Sequence, residues 1–402
     1  MNFPFYIAKR YLFSKKSHNA INIISWIAVI SVGIGTFALV VVLSAFNGLE
    51  KLVESLYETF DSDIRIEAKT GKVFDEKEID FEAIRNSKGV ADYSRVLEEI
   101  CGLRYQNQQT VATIKGVEQS FLRMSKLDSM IIDGKAQIEN NGIPFAITGY
   151  GIAAALGIYG SKSIENISVY APKRGKIRAG INPMQSIYRK MIASAGVFYI
   201  SPEYDNKYMV VPLSFARNLL EYKTELSAVE VTAQKGVDLN ELKVRIAALV
   251  GDDFKVSNRY EFNELMYKTN RTEKWVVFLI LLFILVIAAF NILSSLSMLI
   301  IEKRKDIGVL KSMGARHSTI RRIFFIEGIL INLSGALSGM LLGIILILLQ
   351  QHIGLLPLEG GIVEYYPVDL KISELFYILI TVIAIGLLTS WYPVRNLTKV
   401  ES

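Results

Sequence analysis

The sequence predicts an α-helical membrane protein with four transmembrane helices, plus a large α+β extracytoplasmic domain of two lobes inserted between helices 1 and 2. Two observations predict this fold class. Four segments carry no Asp, Glu, Lys or Arg. A helix needs about 20 residues to cross a bilayer, and each segment is at least that long. They are residues 17–49, 275–301, 328–358 and 375–394. The stretch between the first two segments is polar, as expected of a water-exposed domain.

Positively charged residues in the short connecting segments predict which way the helices face. The cations lie in the first twenty residues, in residues 302–322 and in the tail, whereas residues 351–374 hold Lys371 among four acidic residues. Cytoplasmic loops carry an excess of Lys and Arg. We therefore expect both termini and the basic connection to be cytoplasmic and the large domain to lie outside.

These arguments divide the chain into nine segments. They are a cytoplasmic or interfacial N-terminal segment at 1–20, helix 1 at 21–47, the extracytoplasmic domain with stalk helices at 48–272, helix 2 at 274–301, a basic connection at 302–322, helix 3 at 323–350, a short outer loop at 351–372, helix 4 at 373–394 and a cytoplasmic tail at 395–402.

Composition excludes several classes of function. The formal charge of +6 is explained by the cytoplasmic flanks, so it does not indicate nucleic acid. His18, His317 and His352 are far apart in the chain and no HExxH or CxxC spacing occurs, which gives a metal site no basis. No Walker A loop is present. We expect this chain to bind no cofactor or metal, and a partner to hydrolyse any ATP. Cys101 is expected to be a small buried residue.

Helix 3 carries glycines at four-residue spacing, Gly335, Gly339 and Gly343. Small residues at this spacing allow two helix backbones to approach closely, so this face is predicted to pack on another helix. Glu327 is the one ionisable residue near a span, and we expect it at the cytoplasmic start of helix 3, where a helix N-terminus favours a carboxylate.

The basic connection is the sharpest local signal. From Glu302 to Gly314 the chain places Ile307, Leu310 and Met313 roughly along one helical face, and Gly314 suits a left-handed cap. The pattern predicts a short amphipathic helix at the cytoplasmic membrane surface. Two interpretations stay open: an anchor to anionic lipid, and a peg that fits a groove on a soluble ATPase.

Alternating apolar residues in the large domain predict strands, bounded by turn residues. The predicted strands are 64–68, 100–105, 110–117, 143–148, 167–171, 195–200, 208–211, 228–232 and 254–258, and the predicted helices are 76–86, 213–221 and 239–250. The first and last strand-helix units resemble halves of a split βαβ sandwich, with the middle of the chain inserted between them, which predicts two lobes. A basic loop at 173–189 interrupts two strand signals.

Three parts of the sequence make the chain resemble a known family. They are the run from Glu302 to Ala315, the segment from Phe325 to Gly328, and the end of helix 1 from Asn47 to Glu50. It is similar to the lipoprotein-releasing permeases, the LolC/LolE family, within the FtsX-like and MacB-like ABC superfamily. The resemblance covers essentially the whole chain.

The resemblance implies a permease in a bacterial inner membrane that works with a second permease subunit and a cytoplasmic ABC ATPase dimer holding ATP and Mg²⁺. It implies that an acylated lipoprotein is extracted from the outer leaflet and handed to a periplasmic chaperone. Three sets of residues take their expected roles from it. The set seated in the ATPase is Lys305, Ile307, Gly308, Leu310, Lys311, Met313 and Gly314; the hook for the chaperone is Arg178, Asn182, Pro183, Met184 and Gln185; the residues lining an acyl cavity are Val40, Leu43, Phe46, Leu285 and Ala289.

Three other functions stay open on the sequence. The first is a mechanotransmitter that regulates a cell-wall hydrolase, and the second is a MacB-like export permease without a lipoprotein substrate. The third is a membrane-anchored receptor or scaffold without ATP coupling, for which the basic helix only binds lipid. Whether the chain pairs with itself or with a sister permease is also open.

Overall fold

The computed structural model describes residues 3–13, 19–158, 166–172, 187–358 and 363–395. The five hook residues, Arg178, Asn182, Pro183, Met184 and Gln185, lie outside these described residues. The chain forms two compact units, one drawn from Met1–Leu52 with Lys268–Ser402 and the other from Val53–Tyr267.

The described α-helices are numbered in chain order. They are α1 (Phe3–Phe13), α2 (Asn19–Phe60), α3 (Phe81–Asn86), α4 (Gln119–Met124), α5 (Tyr150–Leu156), α6 (Pro202–Asp205), α7 (Leu213–Leu220), α8 (Leu239–Val250), α9 (Arg259–Phe262), α10 (Glu264–Glu302), α11 (Arg304–Ser312), α12 (His317–Ile353) and α13 (Ile372–Arg395).

Four of these helices are long and apolar enough to cross a membrane, which confirms that part of the predicted fold class. They cover Ile23–Phe60, Glu264–Glu302, His317–Ile353 and Ile372–Arg395. Each extends beyond the charge-free segment that predicted it, since a helix continues wherever its backbone hydrogen bonds do. The nine predicted segment boundaries stay predictions, because the end of a helix does not mark the edge of a bilayer.

Glycines of α12 lie against the backbone of α2 inside the helical unit. A Cβ atom at Gly335 would lie 2.6 Å from the carbonyl oxygen of Val29, and one at Gly339 would overlap the backbone of Gly33. A Cβ atom at Gly343 would lie 2.9 Å from the Cβ atom of Val40. Three successive turns of α12 therefore approach α2 closely because side chains are missing there.

The strands of the other unit are also numbered in chain order. They are β1 (Ile64–Ala68), β2 (Phe74–Asp75), β3 (Val90–Tyr105), β4 (Gln108–Val117), β5 (Ile131–Gly134), β6 (Glu139–Asn140), β7 (Ile143–Gly149), β8 (Ile167–Pro172), β9 (Ile187–Phe198), β10 (Tyr208–Pro212), β11 (Glu225–Leu226), β12 (Ala228–Ala233) and β13 (Phe254–Asn258).

One large sheet has the strand order β13-β1-β12-β3-β4-β10-β7-β9-β5, with β6 beside β7 and β8 pairing with both β3 and β9. Most neighbours are antiparallel, but β4 with β10 and β7 with β9 are parallel. Strand β1 lies between β12 and β13, so the first strand of the unit pairs with its last two. Its inward residues Ile64 and Ile66 join a core that also holds Ile84 of α3 and Ile246 of α8.

The nine predicted strands each overlap a strand of the structure, but two of them begin too late in the chain. The strand predicted from residue 100 begins at Val90, and the strand predicted from residue 195 begins at Ile187, inside the predicted basic loop. Both early halves carry charged or exposed side chains that hide the period of two. The helix predicted at 76–86 is wrong as one element: a 3₁₀ turn at Glu76–Glu78 precedes α3, and Asp80 caps α3 by accepting from the Glu82 and Ala83 amides.

We predict that Gly339→Ala destabilises the helical unit by about 1–3 kcal/mol, because the added methyl group overlaps the Gly33 backbone, which cannot rotate away. The matched control is Gly308→Ala on α11, where a Cβ atom meets nothing within 4 Å. This change should leave stability equal or raise it by up to about 1 kcal/mol through helix propensity. Thermal unfolding of the full chain in detergent, followed by helical circular dichroism, measures both. Equal melting temperatures for the two variants would contradict the close packing.

Candidate functional site

The basic connection forms α11, and its end has the predicted geometry. Gly314 has a φ of +88°, which confirms the left-handed cap. The Gly314 amide donates to the carbonyl of Lys311 at 2.9 Å, and the Ala315 amide donates to that of Leu310 at 3.0 Å. These bonds satisfy carbonyl groups that the helix leaves without an internal partner.

The inner side of α11 is anchored by Ile307. This residue is buried with Leu299 and Ile300 of α10, Ile320 and Phe324 of α12, and Val394 of α13. Burying such a side chain contributes about 1.5–3 kcal/mol. Because Ile307 shares this cluster with residues of three long helices, a displacement of α11 disturbs the packing of those helices.

The outer side of α11 presents an exposed ridge, which we define as Lys305, Val309 and Met313. Val309 is 58% exposed and Met313 is 70% exposed, whereas Leu310 and Lys311 are half-buried. The predicted common face is therefore wrong for Met313. Met313 follows Ile307 by six residues, and at 3.6 residues per turn its side chain is rotated by about 120° from that of Ile307. The seating of the seven predicted residues in an ATPase stays a prediction.

A small polar cluster lies where α11 begins. The Nζ atom of Lys303 is 3.3 Å from the Asp306 carboxylate and 4.9 Å from the centre of the Tyr11 ring. Burial, together with the carboxylates nearby, raises the pKa of Tyr11 to about 12, so its hydroxyl stays protonated and donates to Asp306. Glu327 also belongs to this cluster and is buried.

Glu327 does not lie at the start of α12, where the sequence placed it. The helix begins at His317, so Glu327 is about three turns inside it. The favourable field of a helix N-terminus falls off within the first turn. The expected stabilisation of this carboxylate by the helix end is therefore wrong.

A polar clamp, defined as Asn47, Lys274 and Glu374, joins α2, α10 and α13. The Lys274 ammonium donates to the Asn47 oxygen at 2.5 Å and to Glu374 at 2.7 Å, and the Asn47 amide donates to Glu374 at 2.7 Å. Gly48 follows directly, and a Cβ atom there would overlap the backbone of Pro367. The clamp links the three helices at the end predicted to face outside.

The residues predicted to line an acyl cavity lie on α2 and α10. Val40, Leu43, Leu285 and Ala289 are buried, and Phe46 is half-buried. Val40, Leu43 and Leu285 belong to one apolar cluster of the helical unit. The structure thus places these residues in the interior of a single chain, and their contact with an acyl group stays a prediction.

A charge cluster that the sequence reasoning missed lies inside the α/β unit. Lys115 of β4 is 1% exposed, and its Nζ atom is 2.9 Å from Glu230 of β12 and 3.9 Å from Glu98 of β3. Arg65 of β1 binds the same two carboxylates, Glu98 at 2.9 Å and Glu230 at 2.8 Å. The available signal was a single charged residue inside an apolar strand, as in Thr113-Ile114-Lys115-Gly116-Val117.

The end of α2 packs directly on this cluster. The Nζ atom of Lys115 lies 4.5 Å from the centre of the Phe60 ring and 4.7 Å from that of Phe121. Phe60 also contacts the rings of Phe198, Tyr204 and Tyr208. Rings around a desolvated ammonium are attractive, so the cation fixes the aromatic end of α2 within this unit.

Hydrogen bonds and ion pairs fix the residues around Phe60 as well. Tyr57 donates to Glu203, and Asp61 accepts from Tyr204 at 2.6 Å and from Asn263 at 2.8 Å. Arg259 bridges Glu58, at 2.6 Å, and Asp63. We call these contacts, together with the Phe60 rings, the α2 joint. It leaves the last turns of α2 little freedom relative to the strands of the same unit.

Within the described residues no group of three or more His, Cys, Asp or Glu side chains is placed to hold a metal. Cys101 is buried as expected, and burial raises the pKa of its thiol to about 12. The fold therefore defines a membrane protein with an apolar helical unit and a separate α/β unit.

Comparison with known proteins identifies the family of this membrane protein. Residues 25–249 match the family described as MacB-like periplasmic core domain, and residues 278–402 match the family described as FtsX-like permease C-terminal. The chain belongs to this family of MacB-like and FtsX-like permeases, which confirms the resemblance seen in its sequence.

Two curated relatives are similar along their full length. The lipoprotein-releasing system transmembrane protein LolE of Haemophilus influenzae is 23% identical over 100% of this chain and 98% of that relative. LolC of Neisseria meningitidis serogroup B is 24% identical over 98% of this chain and 97% of that relative. The crystal structure of the periplasmic region of MacB from Actinobacillus actinomycetemcomitans is 10% identical, with a TM-score of 0.37 over 54% of this chain and 98% of that one.

We predict that Lys115→Met destabilises the α/β unit by about 3–5 kcal/mol at pH 7, because it leaves buried carboxylates short of a cation. Burial opposes the ionisation of Glu98, but Arg65 and Lys115 outweigh it and hold the pKa of Glu98 below its usual 4.5. A lowered carboxyl pKa stabilises the fold above the unfolded value, and this stability is lost as pH falls through the folded value. The penalty in the variant should therefore shrink below about pH 4.5.

Urea unfolding of the full chain in detergent at pH 7 and at pH 4 measures this penalty. The control is Lys126→Met, whose ammonium is mostly exposed and lies 3.7 Å from Glu58. It should change stability by no more than about 0.5 kcal/mol. A Lys115→Met penalty that does not depend on pH would contradict the electrostatic account.

Proposed function

We propose that this protein is the permease subunit of an inner-membrane ABC transporter that extracts lipoproteins from the outer leaflet and hands them to a periplasmic chaperone. The observation that carries this proposal is similarity over the full length to LolE and LolC, whose names assign them to a lipoprotein-releasing system. The coupling geometry of α11 supports it. This chain would bind no cofactor, and ATP and Mg²⁺ would be held by a partner ATPase dimer.

The proposed topology has four spans, cytoplasmic termini and a periplasmic domain inserted between the first and second spans. The distribution of Lys and Arg supports it, since α11 with its flanks is basic while the connection around Asp369 is acidic. Residues 25–249, which match the MacB-like periplasmic core, include most of the α/β unit.

We further propose that the periplasmic domain works as two lobes, although its strands form one sheet. Strand β3 supports this division. Residues 90–96 of β3 pair with β12, and residues 102–104 pair with β8. The first half of β3 is thus bonded to β12, which itself pairs with β1 from the start of the domain, and the second half is bonded to β8 from the middle of the domain sequence.

The exposed ridge of α11 is the surface that we assign to the ATPase. It combines apolar Val309 and Met313 with the cation of Lys305. A lipid anchor is the weaker interpretation, because the buried apolar residue of α11, Ile307, is occupied by the chain's own helices. Load on the ridge would act on Ile307 and through it on α10, α12 and α13.

A second candidate function is a mechanotransmitter that regulates a cell-wall hydrolase. The match of residues 278–402 to the FtsX-like description favours it, because that part contains α11. It is no better supported than lipoprotein release, since the relatives similar over the full chain carry lipoprotein-releasing names. A MacB-like export permease without a lipoprotein substrate would share the same coupling.

The substrate is tested in proteoliposomes that contain the permease complex and a triacylated lipoprotein. We predict ATP-dependent transfer of the lipoprotein to a soluble chaperone, and none for the same protein without acyl chains. In cells, depletion should retain outer-membrane lipoproteins in the inner membrane. Unchanged lipoprotein sorting with altered cell separation would favour the hydrolase regulator.

The coupling surface is tested by Val309→Asp, which places a carboxylate in the exposed ridge without opening the apolar contact of Ile307. We expect at least a tenfold loss of ATPase capture by the purified permease, since central interface residues contribute about 2 kcal/mol or more. Val244→Asp on α8 is the matched control, because this valine is also exposed but lies in the α/β unit. Equal capture by both variants would leave the ridge without a role.

A further inference from the structure

Glu327 of α12 is a buried carboxyl group inside the helical unit. Its side chain is 0% exposed, and neither oxygen of its carboxylate has a hydrogen-bond partner among the described residues. A buried carboxyl group without a partner is unfavourable in either protonation state, because the charge or the polar atoms stay uncompensated. The arrangement described here therefore lacks a partner that this group requires.

The Lys303 ammonium acts electrostatically on Glu327, and this lysine is the N-cap of α11. In this structure its ammonium pairs with Asp306, whose side chain is 48% exposed, and lies over the Tyr11 ring. Ion pairs with an exposed member contribute little to stability, so Lys303 can leave Asp306 at small cost.

The three charged groups are carried by two helices. Lys303 is the N-cap of α11 and Asp306 is in its first turn, whereas Glu327 is in the middle of α12. A displacement of α11 therefore moves the Lys303 ammonium relative to Glu327. Such a displacement can bring Glu327 within reach of the ammonium group, which then has a choice of two carboxylates.

We propose that Glu327 is the second partner of Lys303: the ammonium pairs with Asp306 in the arrangement described, and with Glu327 when α11 is displaced by a bound, ATP-loaded ATPase. Glu327 is then a positioning residue that holds the loaded arrangement of α11 against α12. This inference rests on the proposed coupling role of α11. It concerns the partner of a buried carboxylate, and it does not depend on which substrate is moved.

Cross-linking of paired cysteines in the permease-ATPase complex tests whether positions 303 and 327 approach each other, as the exchange requires, and the Glu327→Gln variant tests the charge. The background is Cys101→Ala, which removes the single native thiol of the chain. Lys303→Cys with Glu327→Cys is treated with a short bifunctional thiol reagent, without nucleotide and after vanadate trapping. We expect the cross-linked fraction to rise several-fold on trapping. The reference pair, Lys303→Cys with Tyr11→Cys, should become cross-linked less on trapping. Equal yields in the two states for the first pair would overturn the proposal.

Coupling is measured by the Glu327→Gln variant, which keeps the shape of the side chain and removes the charge that attracts Lys303. We expect it to release at least fivefold less lipoprotein per ATP hydrolysed, and Glu327→Asp to retain part of the coupling. The control is Glu302→Gln, at the end of α10, which should match the wild type. Release per ATP equal to wild type in Glu327→Gln would also overturn the proposal.

Failure of this inference is distinguishable from failure of the proposed function. If the wild-type complex transfers lipoprotein but the Lys303-Glu327 pair gives the same cross-linked fraction in both states, the transporter stands and the ion-pair exchange does not. If the wild type hydrolyses ATP without releasing lipoprotein, the substrate assignment fails, and the cross-linked fraction still decides the exchange. If no ATPase binds the chain, both proposals fall.

Discussion

The close approach of α12 to α2 is the constraint on which the helical unit depends. Because Gly339 lies directly against the Gly33 backbone, the two helices cannot slide past each other without a steric clash. Phe324 of the same α12 belongs to the apolar cluster that holds Ile307 of α11. A displacement of α12 would therefore act on α2 as well, because the two helices are packed closely.

At its other end α2 is held by interactions of a different kind. Its last residue, Phe60, contacts the buried Lys115, and the neighbouring Tyr57 and Asp61 are hydrogen-bonded to α6 residues. Directional bonds and a buried cation fix orientation more strictly than apolar packing alone. Helix α2 contributes residues to both units, and within each unit these residues are fixed by contacts of a different kind.

The sequence predicted those parts of the structure in which neighbouring residues decide the conformation. Strand β1 and helix α8 were predicted to the residue, because alternation or the 3.6-residue period was clean, and Asp238 caps α8 in the structure. The cap at Gly314 followed from a local rule. Met313 was misplaced, since it lies six residues after Ile307 and is rotated by about 120° away from the buried face.

Contacts between residues far apart in the chain could not be predicted from local patterns. Nothing near Lys115 in sequence indicates that Glu230 lies 2.9 Å away, and nothing near Asn47 indicates Lys274. Such pairs arise when strands or helices distant in sequence become neighbours. An isolated charge in an apolar element is nevertheless a usable signal, because a buried charge requires a partner somewhere.

The buried charges named above differ in whether they have the partner that they require. Lys115 and Arg65 are fully compensated, as is Lys274 of the clamp, and they lie where elements have to keep a fixed geometry. Glu327 is uncompensated and lies beside the short helix that a load would displace. A complete network favours one arrangement strongly, whereas an incomplete one lowers the difference in free energy between two arrangements. Lys115 and Lys274 thus favour one fixed geometry around themselves, whereas the surroundings of Glu327 allow a second arrangement.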